Sequence, residues 1–158
     1  ATLKNLYYSI IYPYLDYNII NWSSAPTSYL KCIANTNKKA VRCITNNHNE
    51  SPSYKQLEIL LLDLLMKYRR GQFMWKLKNN ILPETIISDY QPNTAAIYVR
   101  MNTSKYLLPL PRTELAKRHH SFSATKLWNT TIPDQIKSSS SLSIFKTNYK
   151  THQLNYII

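Results

Sequence analysis

The chain holds a single glycine, Gly71, in 158 residues, where average usage of about 7% would give roughly eleven. A loop that cradles phosphate on bare backbone N–H groups needs several glycines, so nucleotide-binding loops of that kind are excluded. Acidic residues are also scarce, eight Asp and Glu against twenty Lys and Arg. Asp16, Asp63, Asp89 and Asp134 lie far apart, and no two acids are adjacent. Nucleotidyl transfer and phosphodiester hydrolysis need clustered carboxylates to hold divalent cations. No catalytic residue, metal site or cofactor is therefore expected in this chain.

Cysteine is limited to Cys32 and Cys43, which fall in one predicted helix. At about 1.5 Å rise per residue they stand roughly 16 Å apart, too far for a disulfide or a shared metal. Reduced, buried side chains are the expectation. Long hydrophobic runs are missing as well. No stretch reaches the about 18 uninterrupted apolar residues of a membrane span, and no basic-then-apolar leader follows Ala1. An intracellular protein without membrane contact is expected, so the Asn-x-Ser/Thr triplets at Asn21, Asn49, Asn102 and Asn129 are read as chance in an Asn-, Ser- and Thr-rich chain.

What the sequence does have is charge of one sign and enough apolar surface to fold. Its formal net charge is +12 and 44% of its residues are hydrophobic, which suits one domain or two small subdomains with a polyanionic partner, nucleic acid before an anionic membrane. The residue bias towards Asn, Ile, Lys and Tyr fits A/T-rich codons. An apolar pattern that begins almost at once with Leu3, Leu6, Tyr7 and Ile10 reads as a piece of a longer chain.

Hydrophobic periodicity predicts a mainly α-helical fold. A first helix runs from Leu3 to about Trp22, interrupted by Pro13, with Tyr7, Tyr14 and Trp22 near its aromatic face. A second runs from Pro26 to about Thr45, with Leu30, Ile33, Ala40, Val41 and Ile44 towards the core. Ser51-Pro52-Ser53 opens a short helix over Tyr54 to Ile59, and Asp63 is the expected N-cap of a longer one to about Asn79. Gly71 sits inside that helix, where a glycine costs about 1 kcal/mol relative to Ala; close packing of another backbone is the expected reason. The pattern then weakens, with two extended runs at Ala96 to Val99 and Tyr106 to Leu110. Two further helices span about Ser121 to Thr131 and Leu142 to Tyr156. Pro133 and Asp134 form the turn between them, Ser141 caps the last one, and Leu142, Phe145, Tyr149 and Tyr156 form its apolar face.

Two basic groupings are candidate phosphate contacts. Lys31, Asn35, Lys38 and Arg42 recur at helical spacing, with Lys39 beside them, as a polar stripe opposite the apolar face. It reads equally as a track for phosphates or as a solvated helix face. Arg112, Lys117, Arg118, His119 and His120 form the second grouping. Beside them, Tyr98 and Tyr106 are candidates for stacking on single-stranded bases. The adjacent histidines point about 100° apart in a helix, which suits no single metal, so they are read as facing solvent or phosphate.

Three stretches, and a fourth between them, carry a family resemblance. LKNLYYSIIYPYLDYNIINWSSAP (Leu3 to Pro26) with NKKAVRCIT (Asn37 to Thr45) resembles the segment just after the polymerase palm in non-LTR retrotransposon (LINE) reverse transcriptases of the jockey-like kind. LPLPRTELAKRHHSFSATKLWNTTIPDQIKSSSSLSIFK (Leu108 to Lys146) is similar to the extreme C-terminal region of those proteins. YKQLEILLLDLLMKYRRGQFMWKLKNNILP, between them, resembles the family in spacing. The resemblance implies a thumb-like helical bundle over 1–83, a connecting segment with short strands or extended arms over 84–112, and a small C-terminal helical module over 113–158.

It also implies a noncatalytic part of an RNA-directed DNA polymerase that grips template RNA and primer/template duplex, lacking the palm with its paired aspartates, the fingers and the endonuclease. The missing palm and fingers would be its protein partners, in nucleus and cytoplasm. Lys38, Lys39, Arg42, Arg112 and Arg118 match basic positions of the family, whereas Asn18, Ala116 and Ala124 stand where it often has glycine. The rival expectation is a truncated or repurposed helical module that binds protein through an exposed apolar surface at Leu60-Leu61-Leu62 and Leu64-Leu65.

Overall fold

The computed structural model describes residues 2–46, 54–92 and 106–155, and its architecture is mainly helical. The chain opens with α1 (Thr2–Leu6), which passes through a π-helical turn at Tyr7–Ile11 into α2 (Tyr12–Asp16). The N–H of Tyr12 reaches the carbonyl of Tyr7, five residues back. That widened turn lies just ahead of Pro13, whose ring cannot sit over an ordinary α-turn. A short α3 (Ile19–Trp22) and the long α4 (Thr27–Thr45) follow, with Pro26 at the N-cap of α4 rather than in its first turn.

Next come α5 (Tyr54–Leu57), α6 (Leu62–Lys78), α7 (Glu84–Ile87), α8 (Glu114–Arg118), α9 (His120–Thr130), α10 (Asp134–Lys137) and α11 (Leu142–Leu154). The expected opening at Ser51 to Ser53, the run Ala96 to Val99, and Tyr156 lie outside the described residues. The stretch from Tyr106 to Leu110 is extended as expected, held by an antiparallel bridge between Pro92 and Tyr106.

With so little glycine, the left-handed backbone positions fall to other residues. Asn18, Asn46 and Asn80 have φ of 51°, 53° and 54°. Asparagine tolerates this region because its short amide bonds locally to the backbone. Asn46 ends α4 in this way, its N–H returning to the carbonyl of Arg42. Asn18 separates α2 from α3. Glu58, at φ 54°, lacks asparagine's short amide and is the strained member of the set.

The hub is α6. Helices α3, α9 and α11 all pack on it, and Leu62, Leu65, Met66, Tyr68, Gly71, Gln72, Met74, Trp75 and Leu77 are buried on its several sides. A helix buried almost all round has no single apolar stripe. One apolar cluster joins α6 to Leu15 and Ile19 on one side and to Leu127, Trp128, Phe145 and Tyr149 on the other. The stretches 1–83 and 113–158 therefore contribute to a common core. A smaller cluster of Tyr7, Val41, Tyr54 and Ile59 ties the N-terminal helices to α4 and α5. Its buried polar contact is the Tyr7 hydroxyl donating to Asn37 Oδ1 at 2.9 Å.

Several local expectations are corrected. Leu61, not Asp63, occupies the N-cap of α6, and Asp63 sits in the first turn, where its charge faces the positive end of the helix dipole. Cys32 and Cys43 are exposed, because only Asn37 and Val41 of α4 are fully buried. Tyr14 is exposed. Leu60, Leu62 and Leu65 are buried in the main cluster, whereas Leu61 and Leu64 stay partly exposed, so the leucine surface expected for a protein partner is largely but not wholly interior.

The Trp-Asn, Pro and Ser-run series closes the fold. Trp128 is fully buried at the end of α9, and Asn129 clamps the extended segment, accepting from Tyr106 N–H at 3.1 Å and donating to its carbonyl at 2.8 Å. Pro133 is the N-cap of α10. After it, Lys137 turns inward, pairing with Asp134 at 2.8 Å and lying over the Trp128 ring at 5.8 Å. Ser141 then caps α11 by accepting from Ile144 N–H at 3.3 Å.

Gly71 is explained by a side chain and not by another backbone. A Cβ built there would overlap Cε1 of Tyr149 and lie 3.1 Å from its Cδ1 and 3.2 Å from Cδ1 of Ile132. Tyr149 is fully buried and stacked on Tyr68, so it has no room to withdraw. Gly71→Ala gains roughly 1 kcal/mol of helix propensity but overpacks this contact by about 1–3 kcal/mol. A net destabilisation is expected, read as a lower urea midpoint; an unchanged or higher midpoint would show that α11 does not sit this close.

Candidate nucleic-acid interface

The stripe on α4 is exposed and borders a neighbouring helix. Lys31, Asn35 and Lys38 line a cleft of about 490 Å³ between α4 and the start of α6. Leu30, Ala34, Leu61, Leu62 and Leu64 contribute its apolar walls, and α6 adds Lys67 and Asp63. Three lysines thus meet one carboxylate in a single groove. At about 1.5 Å per residue Lys31 and Lys38 stand roughly 10 Å apart, two turns of one helix, a spacing that tracks a strand rather than clamping one small anion. As expected, the stripe is on the exposed side, with Leu30, Ile33, Ala40, Val41 and Ile44 turned to the core clusters; it also forms the rim of the groove.

The remaining α4 candidates separate. Arg42 is partly buried within electrostatic reach of Tyr54, which lines the far end of the groove. Burial pushes the Tyr54 hydroxyl pKa up, and the Arg42 charge opposes that shift. Lys39 is exposed but does not line the groove. Lys67 was not legible as part of a site, because its helix carries no basic stripe of its own. Packing of α6 beside α4 supplies it.

The second sequence grouping is not gathered into one surface. Arg112 is exposed on the extended approach to α8. Lys117 is held by an ion pair with Glu114. Arg118 is partly buried at the end of α8. His119 is an N-cap for α9, its Nδ1 lying 2.9 Å from Ser121 Oγ and accepting from Ser121 N–H at 3.4 Å. Its ring lines a mostly apolar cleft with Pro109, Leu110, Leu115 and Phe122. The Tyr106 ring is half-buried against the main cluster, so it is not a freely displayed stacking ring, while Asn129 holds its backbone; Tyr98 lies outside the described residues.

His120 is also corrected, since it faces neither solvent nor phosphate. Its ring meets Phe73 edge-on at 5.6 Å and lies 6.2 Å from Tyr90, sealing α9 against α6. Burial, the neighbouring His119 and the Arg70 charge lower its pKa, with Asp89 opposing. Arg70 is itself partly buried, donating to the carbonyl and hydroxyl of Ser23 at 3.2 and 2.9 Å. Arg69, one residue earlier, pairs bidentately with Asp16 and bonds Tyr12 and Gln72. Both arginines bind the N-terminal helices to α6 and are not available to a polyanion.

No family model, curated protein or solved structure matches the chain. The site therefore rests on its own geometry and on the order of the sequence motifs. Among the described residues, no three of His, Cys, Asp and Glu come together as metal ligands would, and no helix is long and apolar enough to cross a membrane.

His120 gives the fold a defined acid sensitivity. Above the ordinary histidine pKa of 6.5 both folded and unfolded chains hold it neutral. As pH falls below 6.5 the unfolded chain takes up the proton first, so stability declines until the lowered folded pKa is reached, and then levels off. His120→Phe fills the same aromatic niche without a titrating group. The decline in urea midpoint between pH 7.5 and 5.5 is expected to shrink in this variant; an identical decline would assign the acid sensitivity elsewhere.

Proposed function

We propose that this chain is a noncatalytic nucleic-acid-binding unit that holds RNA, and RNA/DNA duplex, by phosphate contacts along the groove between α4 and α6. One observation carries the reading: Lys31, Lys38 and Lys67, from two separate helices, converge on one groove in which Asp63 is the single carboxylate among the described residues. Lysines spaced along a helix neutralise successive phosphates and release their counterions, giving affinity without base recognition. The excess of basic over acidic residues supports the same partner.

The ordered motifs of the sequence place the unit within a wider proposal. It is the thumb and C-terminal region of a non-LTR retrotransposon reverse transcriptase, whose palm and fingers would carry the RNA-directed DNA polymerase chemistry and whose work would lie in nucleus and cytoplasm. The proposed contacts then have defined roles. Lys31 and Lys38 line the strand along α4, Lys67 closes the groove from α6, and Arg42 lies beside Tyr54 at its end.

Binding of a fluorescent oligoribonucleotide at graded salt tests this. Each lost contact to a single strand removes about 0.7 from the slope of log K against log salt, so Lys31→Ala, Lys38→Ala and Lys67→Ala together should lower it by roughly 2. Lys117→Ala, at the cation already paired with Glu114, should change it little. Equal loss in both variants would mean diffuse attraction to the whole surface, and an unaltered slope in the triple variant would remove the groove from the interface.

A further inference from the structure

The N-terminal helices carry an apolar row that stays exposed among the described residues. Leu3, Leu6, Ile10, Tyr14 and Tyr17 are 52, 48, 56, 81 and 81% exposed. They follow one another at three, four, four and three residues, the stepping of a helical contact seam. Alongside them Thr2, Asn5, Ser9 and Pro13 are also exposed, and none of these is charged.

Two properties of this row identify its occupant. The first is symmetry. The spacing reads the same in both directions about Ile10, so an antiparallel copy of the segment would set Leu3 against Tyr17, Leu6 against Tyr14, and Ile10 against its own counterpart. Such mutual pairing, in which residue i meets j and j meets i, is what a two-fold interface requires. An unlike partner places no such demand on the row.

The second is charge. In a chain of net charge +12 most faces repel a second copy. Within the row from Leu3 to Tyr17 the charged side chains are Lys4 and Asp16; an antiparallel copy sets Lys4 against Asp16 rather than against another lysine, and both Asp16 carboxylate oxygens are taken by Arg69. Two copies can therefore approach on this face without opposing like charges.

We propose that the chain forms a two-fold homodimer through antiparallel pairing of α1, the π-helical turn and α2, with Ile10 on the axis. The interface is separate from the lysines of the α4/α6 groove, so it stands or falls independently of nucleic-acid binding. Pairing also makes the dimer bivalent: two grooves on one particle raise the effective concentration of the second contact once the first is made.

Sedimentation equilibrium of the full chain over the micromolar range is the first test. A dimer is expected, and Ile10→Glu, which sets two carboxylates together at the axis, should make it a monomer with unchanged helical circular dichroism because Ile10 packs into no core. The register is tested by Leu6→Lys and Tyr14→Glu. Each alone should be monomeric, while an equimolar mixture should recover a heterodimer in which Lys at 6 meets Glu at 14. A monomeric parent chain overturns the proposal and leaves the row to an unlike partner. A dimer that survives Ile10→Glu places the interface elsewhere, and single variants that fail to recover on mixing overturn the antiparallel register.

Discussion

The seating of Tyr149 against Gly71 sets how deeply α11 lies on α6, and the depth of α6 in turn positions most of the molecule. At Gly71 a missing Cβ admits an aromatic ring, which stacks on Tyr68 and meets Phe145. Phe145 passes the contact on to Trp75 and Trp128. An unbroken aromatic series thus joins the middle of the chain to its end. Dispersion between close-packed rings is small per atom pair but is summed over the whole series, and any added volume is resisted because the neighbours are equally confined. A composition that elsewhere substitutes asparagine for glycine in left-handed turns keeps its single glycine at this contact, where no other residue fits.

Net charge is a poor guide to how much positive surface the protein presents, because packing commits several cations internally. Arg69 is held by Asp16, Arg70 by Ser23, Lys137 by Asp134 and the Trp128 ring, and Lys117 by Glu114. A buried cation needs partners for its desolvated N–H groups; Arg69 and Lys137 find them, Arg70 leaves its Nε unpaired among the described residues, and Lys117 stays exposed beside Glu114. What remains as a site is decided by where two helices leave a gap. The α4/α6 groove collects lysines that form no ion pair among the described residues. The histidine-rich stretch, equally basic on paper, is used to cap α9 and to seal it against α6.

Much of the helical order was legible from sequence because it is local. Hydrophobic spacing marked α4, α6, α9 and α11, Ser141 marked the start of α11, and Pro13 marked an interruption whose form is a π-helical turn. The cap of α6 was misplaced, since Leu61 stands where a polar residue would ordinarily be and Asp63 supports the helix through its dipole instead. The leucines at 60, 62 and 65 read as a surface only while their neighbours were unknown. Once α6 is surrounded, they are core.

Sequence by itself determined that the chain would be helical and strongly basic, with few acidic residues and none adjacent, since these follow from residue identity and near-neighbour spacing. It also contained the evenly stepped row from Leu3 to Tyr17, though not the fact that this row stays exposed. Tertiary structure alone decided which basic residues meet, which are consumed as internal partners, and why Gly71 is glycine. The physical reason is that burial and electrostatic pairing depend on groups brought together from distant parts of the chain: Lys67 joins Lys31 only through the packing of α6 beside α4, and Tyr149 reaches Gly71 only when α11 folds back on α6.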